Sequence, residues 1–223
     1  MAFSLLNFTL RSYENILIRD VNFQFAENKK YFFFGRTGIG KSLLLDCLAG
    51  LYSNYCGEIN FTGNPSIRSY LFQKNVLIPW LTVKENLDLV CGGQQEIQLN
   101  YLEKFNFVPM LNKMAVLLSG GETQVVNLIR ALLLKPKIIF SDEPFSSVDY
   151  VTKQKACKVL QDYILENSAT LFAVSHDLEE ICLMADEVLY FDQKKKSLVT
   201  TLSKDRINVQ SLFDLLSGDK IEF

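Results

Sequence analysis

One glycine-rich segment contains the residue types that phosphate binding requires, in the order in which it requires them. Residues 35–42 read Gly-Arg-Thr-Gly-Ile-Gly-Lys-Ser and fit the pattern G-x-x-x-x-G-K-[ST]. The glycines allow backbone N–H groups to turn toward phosphate oxygens, and the start of a following helix adds partial positive charge. The pattern predicts that Lys41 reaches the β- and γ-phosphates of a nucleotide and that the Ser42 hydroxyl holds Mg²⁺. The candidate residues of this segment, called the phosphate loop below, are Gly35, Arg36, Thr37, Gly38, Ile39, Gly40, Lys41 and Ser42.

The neighbours of the phosphate loop predict a strand before it and a helix after it. Residues 31–34 are four consecutive aromatic residues, which is typical of a buried strand. Residues 43–49 are mainly apolar and end at Gly50, a common residue just after a helix C-terminus. This strand–loop–helix context favours a phosphate-binding loop over a chance glycine-rich turn.

Two later segments also contain candidate functional residues. Residues 118–122 read Leu-Ser-Gly-Gly-Glu and precede a predicted helix over residues 125–134. Residues 137–141 form an apolar strand pattern that ends in the adjacent carboxylates Asp142 and Glu143. Carboxylates beside a bound nucleotide would hold Mg²⁺ and position an attacking water, whereas the alternative is a solvated strand end.

Together and in this order, the three segments resemble the ATP-binding cassette (ABC) family of transport ATPases. Gln73, residues 146–149 and His176 also fall where that family has its Q-loop, D-loop and H-loop, so the resemblance covers nearly the whole chain. It implies an α/β fold with a P-loop NTPase core, a mostly parallel sheet, an N-terminal antiparallel β subdomain and an inserted helical subdomain. We expect one domain over residues 1–223, with the core in 1–72 and 131–223 and the helical subdomain in 73–130.

The resemblance assigns roles in ATP hydrolysis to individual residues. It implies that Glu143 is the general base, that His176 contacts the γ-phosphate, and that Gln73 contacts the metal and the attacking water. The implied metal ligands are Ser42, Gln73 and Asp142, and the implied cofactors are ATP and Mg²⁺.

The segment before the second predicted helix has a different implied role. Ser119, Gly120 and Gly121 complete the ATP site of a second, facing cassette in this family. The resemblance therefore implies an ATP-dependent head-to-tail dimer with a second ATPase subunit, in which ATP favours association by mass action.

The aromatic residue that would stack on adenine is not fixed by the pattern. Tyr13 is the candidate aromatic, whereas counting back from Asp20 puts Ser12 at the usual family position. The alternative for Tyr13 is an exposed loop tyrosine.

Hydrophobic periodicity predicts the remaining elements. Alternation indicates antiparallel strands with inward residues Leu6, Phe8 and Leu10, then Val21, Phe23 and Phe25. Further strands are predicted over residues 57–61, 67–72, 137–141, 169–175 and 187–192, with a helix over 151–167. The three lysines at 194–196 predict a hairpin turn rather than a lipid-binding patch. The apolar residues of a C-terminal helix packed on the core, ending at Gly218, are Leu212, Phe213, Leu215 and Leu216.

Composition excludes several classes of protein. A net charge of −2 argues against a general nucleic-acid binder. No run of about 18 apolar residues indicates a membrane span, and the first residues lack the pattern of a signal peptide. Five scattered cysteines and one histidine predict reduced, packed thiols rather than a metal site or a disulfide framework. We expect a cytoplasmic protein, peripheral on the inner face of the cell membrane.

The segment after Gln73 indicates to which group of ABC proteins this chain is most similar. Pro79-Trp80, followed by Val83-x-Glu85-Asn86, resembles the ATPases of nitrate, sulfonate and taurine importers. The implied partners are a transmembrane permease and a substrate-binding protein, the implied cargo is a small anionic solute, and no nucleic acid is expected. The alternatives are the ATPase of an exporter or lipid-trafficking system and a soluble ABC protein acting on nucleic acid or the ribosome. A kinase or GTPase would leave residues 118–122 and the lone histidine unexplained.

Trp80, the only tryptophan, has two interpretations. Residues 77–86 either border a groove that receives a cytoplasmic helix of the permease, or Trp80 packs inside the helical subdomain. Thr82 and Glu85 have the spacing of a capping box, which predicts a helix that starts at this point.

Overall fold

The computed structural model describes residues 2–62, 68–91 and 95–217 of the chain. Its strands form two sheets, one antiparallel with the order β2-β1-β4 and one mainly parallel with the order β5-β6-β7-β3-β8-β9. The strands are β1 (Ala2–Ser12), β2 (Asn15–Phe25), β3 (Lys30–Phe34), β4 (Tyr55–Thr62), β5 (Arg68–Leu71), β6 (Ile138–Asp142), β7 (Thr170–Val174), β8 (Glu187–Asp192) and β9 (Ser197–Ser203). The predicted strand at 67–72 begins with Ile67, which lies outside the described residues.

The antiparallel sheet contains a bulge that corrects one sequence prediction. Phe8 and Leu10 are buried as predicted, but Leu6 is 44% exposed and Leu5 is buried instead. The register of β1 shifts between Leu5 and Phe8 against β2 and between Leu6 and Thr9 against β4, and Asn7 takes a left-handed backbone with φ of 50°. The extra residue reverses the inward face, so an unbroken alternation was the wrong pattern for this strand.

The parallel sheet places the candidate functional segments at one edge. β3 is hydrogen-bonded to β7 and β8, and β7 is also bonded to β6, all in parallel. The phosphate loop follows β3, Asp142 ends β6, and His176 comes two residues after β7. Because the carboxyl ends of neighbouring parallel strands meet at one edge, all three segments lie together there.

Several helices begin or end at the residues that the sequence pattern predicts. They are α1 (Lys41–Ala49), α2 (Val83–Cys91), α3 (Gln95–Phe105), α4 (Gly120–Leu133), α5 (Tyr150–Asn167), α6 (Leu178–Met184) and α7 (Val209–Ser217). α1 ends at Gly50 in a left-handed cap, and α2 begins with the predicted capping box between Thr82 and Glu85. α4 runs unbroken across residue 130, where the sequence placed a subdomain boundary, and the division into core and helical subdomain stays a prediction.

Apolar side chains pack on both faces of the parallel sheet. Phe32 and Phe34 belong to one buried cluster with α4 and α5, whereas Tyr31 and Phe33 belong to the other with α1 and the antiparallel sheet. The alternation along β3 explains why all four aromatic residues are buried. Within the described residues, no helix is long and apolar enough to cross a membrane.

Three packing predictions need correction or fall outside the structure. Phe213 was predicted to pack on the core, but it is 58% exposed, because α7 turns its Leu212 and Leu215 face inward. Cys56 was predicted to be a packed thiol, but it is exposed on β4, whereas Cys47 and Cys157 are buried. Gly218, the predicted end of α7, lies outside the described residues.

Candidate active site

The phosphate loop joins β3 to α1 with an open helix start. Gly40 precedes the helix with φ of 103°, a conformation that favours glycine, and no side chain caps the first turn. The Lys41 ammonium donates to the carbonyl oxygens of Gly35 and Arg36 at 2.8 and 3.1 Å. Burial lowers the pKa of Lys41, and the nearby carboxylates of Glu143 and Asp142 oppose that shift. The loop therefore combines a fixed cation with helix-start N–H groups that no side chain caps, which is an anion-binding arrangement.

Two oxygen atoms that could bind a metal ion lie beside the loop. The Ser42 hydroxyl donates to Asp142 Oδ1 at 2.9 Å. Burial raises the pKa of Asp142, and the hydrogen bond from Ser42 opposes that rise. A hydroxyl and a carboxylate this close fit Mg²⁺, which prefers hard oxygen ligands and commonly binds one or two protein oxygens together with phosphates.

Glu143 and His176 are brought into contact across the ends of β6 and β7. Glu143 has a left-handed backbone with φ of 46°, and its N–H donates to the Val174 carbonyl oxygen at 3.0 Å. His176 Nε2 lies 3.0 Å from Glu143 Oε1. A left-handed backbone is costly for a residue other than glycine, so the hydrogen bond to β7 helps to hold Glu143 in this orientation.

A pocket of about 380 Å³ opens onto these groups. Its walls are formed by Ser12, Leu17, Thr37, Gly38, Gly40, Lys41, Ser42, Leu43, Glu143, Val174 and His176. A Cβ atom added at Gly38 would meet nothing within 4 Å, which leaves free space above the loop. The structure thus collects the phosphate-loop lysine, the Ser42 hydroxyl, Glu143 and His176 around one space.

Three residues of the phosphate loop lie outside the lining of that pocket. The Arg36 guanidinium donates to the Leu216 carbonyl oxygen of α7 at 3.0 Å, and Ile39 is buried in the core. Gly35 lies against β8, because a Cβ atom there would be 2.5 Å from the Phe191 carbonyl oxygen.

The wall toward the hairpin of β1 and β2 contains Ser12 and Leu17 rather than Tyr13. Tyr13 lies in the hairpin turn with φ of 51° and is 92% exposed. The adenine-stacking role of Tyr13 stays a prediction. Leu17 was not predicted as a site residue, because no motif marks it; it reaches the pocket because its side chain packs over Gly40.

Gln73 and the segment 119–121 lie outside this lining. Gln73 is exposed and follows β5, whose Leu71 pairs with Ser141 next to Asp142, so Gln73 leaves the sheet at the same edge. Ser119 caps α4 by accepting from the N–H of Glu122 at 3.2 Å, while the Glu122 carboxylate accepts from the Ser119 N–H at 2.7 Å. The D-loop packs against this helix start, since the Ser147 N–H donates to Gln124 at 3.3 Å.

Comparison with known proteins identifies the family. Residues 18–146 match the family profile described as ABC transporter, which covers more than half of the chain. The chain belongs to the ABC transporter family. This ABC protein binds ATP and is an ATPase, as the sequence predicted, and the kinase and GTPase alternatives are wrong.

Its relatives include ATP-binding subunits of bacterial importers. The aliphatic sulfonates import ATP-binding protein SsuB of Zymomonas mobilis is 33% identical over 184 residues, covering 79% of this chain and 76% of the relative. The nitrate transport protein NasD of Klebsiella oxytoca is 30% identical over 201 residues, covering 82% and 75%.

Solved structures confirm the predicted fold. The dimeric structure of MJ0796, a bacterial ABC transporter cassette, has a TM-score of 0.77 at 24% identity and covers 91% of this chain and 98% of that one. The structure of an ATP-binding subunit of an ABC transporter has a TM-score of 0.81 at 20% identity, covering 96% and 94%.

Proposed function

We propose that this ABC ATPase powers a membrane importer of small anionic solutes by hydrolysing Mg²⁺-ATP at the pocket between the phosphate loop and Glu143. The contact between Glu143 and His176 at 3.0 Å beside the Ser42–Asp142 pair carries the proposal. Relatives named for the import of sulfonates and the transport of nitrate support the choice of cargo.

The residues of the site divide the work of hydrolysis. Lys41 and the open N–H groups of the loop bind and orient the phosphates, and Ser42 with Asp142 and Gln73 would hold Mg²⁺. When bound, that ion supplies charge neutralisation on the phosphates. Glu143 would accept a proton from the attacking water, and His176, which lies next to it, would contact the γ-phosphate. General-base catalysis of this kind is worth roughly 10²–10⁴-fold in rate.

A second cassette would complete the nucleotide site. Ser119, Gly120 and Gly121 start α4 outside the lining of their own pocket. The Ser119 N–H is bonded to the Glu122 carboxylate, so the N–H groups of Gly120 and Gly121 are the ones available to a facing subunit. The head-to-tail ATP dimer therefore belongs to the proposal, with two ATP molecules in the interface.

The test replaces Glu143 by glutamine, with Glu166→Gln on the exposed face of α5 as the matched control. Glu143→Gln should lower ATP hydrolysis roughly 10²–10⁴-fold because the proton acceptor is lost, while ATP binding persists. The variant should also remain a dimer in Mg²⁺-ATP during size-exclusion chromatography. Hydrolysis at the wild-type rate in Glu143→Gln would refute the assignment, and the same loss in the control would make the effect non-specific.

The permease would dock near Trp80, which is 71% exposed and therefore not a core residue. The buried Asn86 side chain accepts from the Ile78 N–H at 2.8 Å and donates to the carbonyl oxygens of Ile78 and Thr82, each at 3.0 Å. These bonds fix the turn that presents Trp80. The turn lies beside the segment leading to α4, since the Val116 N–H donates to the Pro79 carbonyl oxygen at 3.1 Å. An aromatic anchor on a rigid turn suits a helix-binding groove.

Replacing Trp80 by alanine separates docking from folding. Transport and stimulation by the permease should fall several-fold, because an exposed anchor contributes to the interface and not to the core. The melting temperature and basal ATPase of the purified cassette should stay unchanged, as they should for Phe213→Ala, a second exposed aromatic. A large loss of melting temperature in Trp80→Ala would count against docking. Affinity purification from membranes would then identify the permease and distinguish an importer from an exporter or lipid-trafficking system.

A further inference from the structure

A charged cluster lies behind the His176 turn and takes no part in the chemistry described above. The Lys153 ammonium on α5 donates to the Asp177 carboxylate and lies 3.7 Å from Glu180 Oε2. The Ser175 hydroxyl donates to Glu180 Oε2 at 2.9 Å and accepts from the Asp177 N–H at 3.1 Å. The cluster thus ties α5 to the end of β7 and to the start of α6.

The charges of this cluster depend on one another. Glu180 is buried and burial raises its pKa, in spite of the hydrogen bond from Ser175. Burial also disfavours the charged form of Lys153, but Asp177 and Glu180 outweigh it and raise the pKa of Lys153 overall. Among the described residues, Lys153 is the cation that forms ion pairs with these carboxylates. Its loss would leave a buried carboxylate without a counter-charge.

His176 lies between the two residues that the cluster holds. Ser175 precedes it and Asp177 follows it, and both are bonded to each other and to the cluster. The imidazole itself is half exposed and contacts Glu143 at 3.0 Å. Its place is therefore fixed mainly through the backbone of its turn.

Lys153 also forms part of the wall of a second pocket. A pocket of about 480 Å³, next to the nucleotide pocket, is lined by Glu143, Lys153 and His176 among other residues. Lys153 lies one helical turn after Asp149, which caps α5 and ends the D-loop. The side chain thus connects the helix that follows the D-loop to the turn that carries His176.

From this geometry we propose that Lys153 is a positioning residue, which holds the His176 turn at its working distance from Glu143 through its bond to Asp177. The inference rests on the proposed roles of Glu143 and His176 in hydrolysis. It makes α5 and the His176 turn one unit, so that a shift of the D-loop is passed to His176 without passing through the sheet.

The experiment compares steady-state ATPase kinetics of Lys153→Met with Lys155→Met, an exposed lysine of the same helix. Lys153→Met should lower kcat roughly 10- to 100-fold, as small displacements in an active site do, with less than about a threefold change in KM for ATP. Lys153→Arg should restore most of the rate, because arginine keeps the charge and the reach. Wild-type kcat in Lys153→Met below its melting temperature would overturn the proposal.

Two further variants keep the test decisive if Lys153→Met unfolds. Lys153→Met with Glu180→Gln removes the buried charge together with its partner, so it should regain the melting temperature but keep the low kcat. Asp177→Asn keeps a helix-capping side chain and loses the charged bond, so it should also lower kcat. Wild-type kcat in both variants would show that the cluster only stabilises the fold.

The lone histidine offers a readout that does not depend on hydrolysis. Its ring gives one set of nuclear magnetic resonance signals, which should move or broaden in Lys153→Met and stay unchanged in Lys155→Met. Unchanged signals together with a low kcat would contradict positioning of His176. If Glu143→Gln hydrolyses ATP normally, the proposed function fails, whereas the histidine signals still decide whether Lys153 holds the turn.

Discussion

Two helices of this protein begin at glycine-rich segments, and their first turns differ in what occupies the backbone donors. α1 begins after Gly40, which has no side chain to cap it. α4 begins after Ser119, and a reciprocal pair of hydrogen bonds between Ser119 and Glu122 caps its first turn. Lys113 lies 3.0 Å from the Glu122 carboxylate and balances its charge.

The difference bears on the proposed role of each segment in binding phosphate. The start of α1 leaves its donors open above the pocket, so a bound phosphate would supply the missing partners. The start of α4 provides hydrogen-bond partners for some of its own N–H groups, so it can stay folded on the surface without a facing subunit. The start of α1 needs a bound anion as a partner for its N–H donors, whereas the start of α4 is capped without one.

The largest expected effect concerns the open start of α1. Lys41→Ala should weaken ATP binding by roughly 10- to 100-fold and abolish measurable hydrolysis, because charged hydrogen bonds to the phosphates are lost. The melting temperature without nucleotide should change little, since the Lys41 ammonium bonds only to loop carbonyl groups. Calorimetric ATP titration checks the first statement, with Lys155→Ala as the control. ATPase activity near that of the wild type in Lys41→Ala would show that the start of α1 does not bind phosphate through Lys41, and the contrast with α4 would fail.

The capped start of α4 should respond in the opposite way. Ser119→Ala should lower stability by about 1 kcal/mol, the usual cost of losing an N-cap, and so reduce the melting temperature by about 2–4 °C. ATP binding to the monomer should be unchanged, whereas ATP-dependent association should weaken. Thermal unfolding and sedimentation with Mg²⁺-ATP measure the two effects. A loss of monomer ATP binding would mean that this segment contacts its own nucleotide.

The effects that are smallest near neutral pH concern the pH dependence of stability, at opposite ends of the pH range for the two helices. Near α4, the hydrogen bond from Ser119 lowers the pKa of Glu122 below 4.5, so its contribution is lost as the pH falls through that range. On α1, burial raises the pKa of Cys47 from 9.0 to about 12, so its contribution is lost as the pH rises between those values. The slope is about 1.4 kcal/mol per pH unit at most for one titrating group.

Melting curves from about pH 3 to about pH 11 test this contrast, because they cover the acid range below 4.5 for Glu122 and much of the interval from 9.0 to about 12 for Cys47. Glu122→Gln keeps a capping oxygen and should flatten the acid side alone. Cys47→Ala should flatten the alkaline side in part, because burial also raises the pKa values of Cys157 and Tyr31 to about 12. If Glu122→Gln flattened the alkaline side, or Cys47→Ala flattened the acid side, the assignment of these groups to the two pH ranges would be wrong.

The sequence predicted features that depend on neighbouring residues and missed those that depend on distant packing. The phosphate loop, the cap of α2 and the strand that ends at Asp142 each rest on a short pattern, and the structure has them. Leu6 was misplaced because a bulge at Asn7 leaves no mark on hydrophobic alternation.

The His176 surroundings show the same limit at the site. The histidine was found from its place after a strand, but its contact with Glu143 and the cluster behind it join residues 24 to 33 positions apart. No periodicity encodes the angle at which α5 crosses the end of β7. No sequence pattern distinguishes Lys153 from the other lysines, and only the fold places it beside two carboxylates.

The exposure of Trp80 also determines what optical spectroscopy can see. With one tryptophan in the chain, intrinsic emission at long excitation wavelength reports on this turn alone. Because the indole is already in water, its emission should change little when the core melts, and a fluorescence denaturation curve would underestimate global unfolding. Covering of the indole by a partner helix should shift the emission to shorter wavelength, which makes the native chain a label-free sensor of docking.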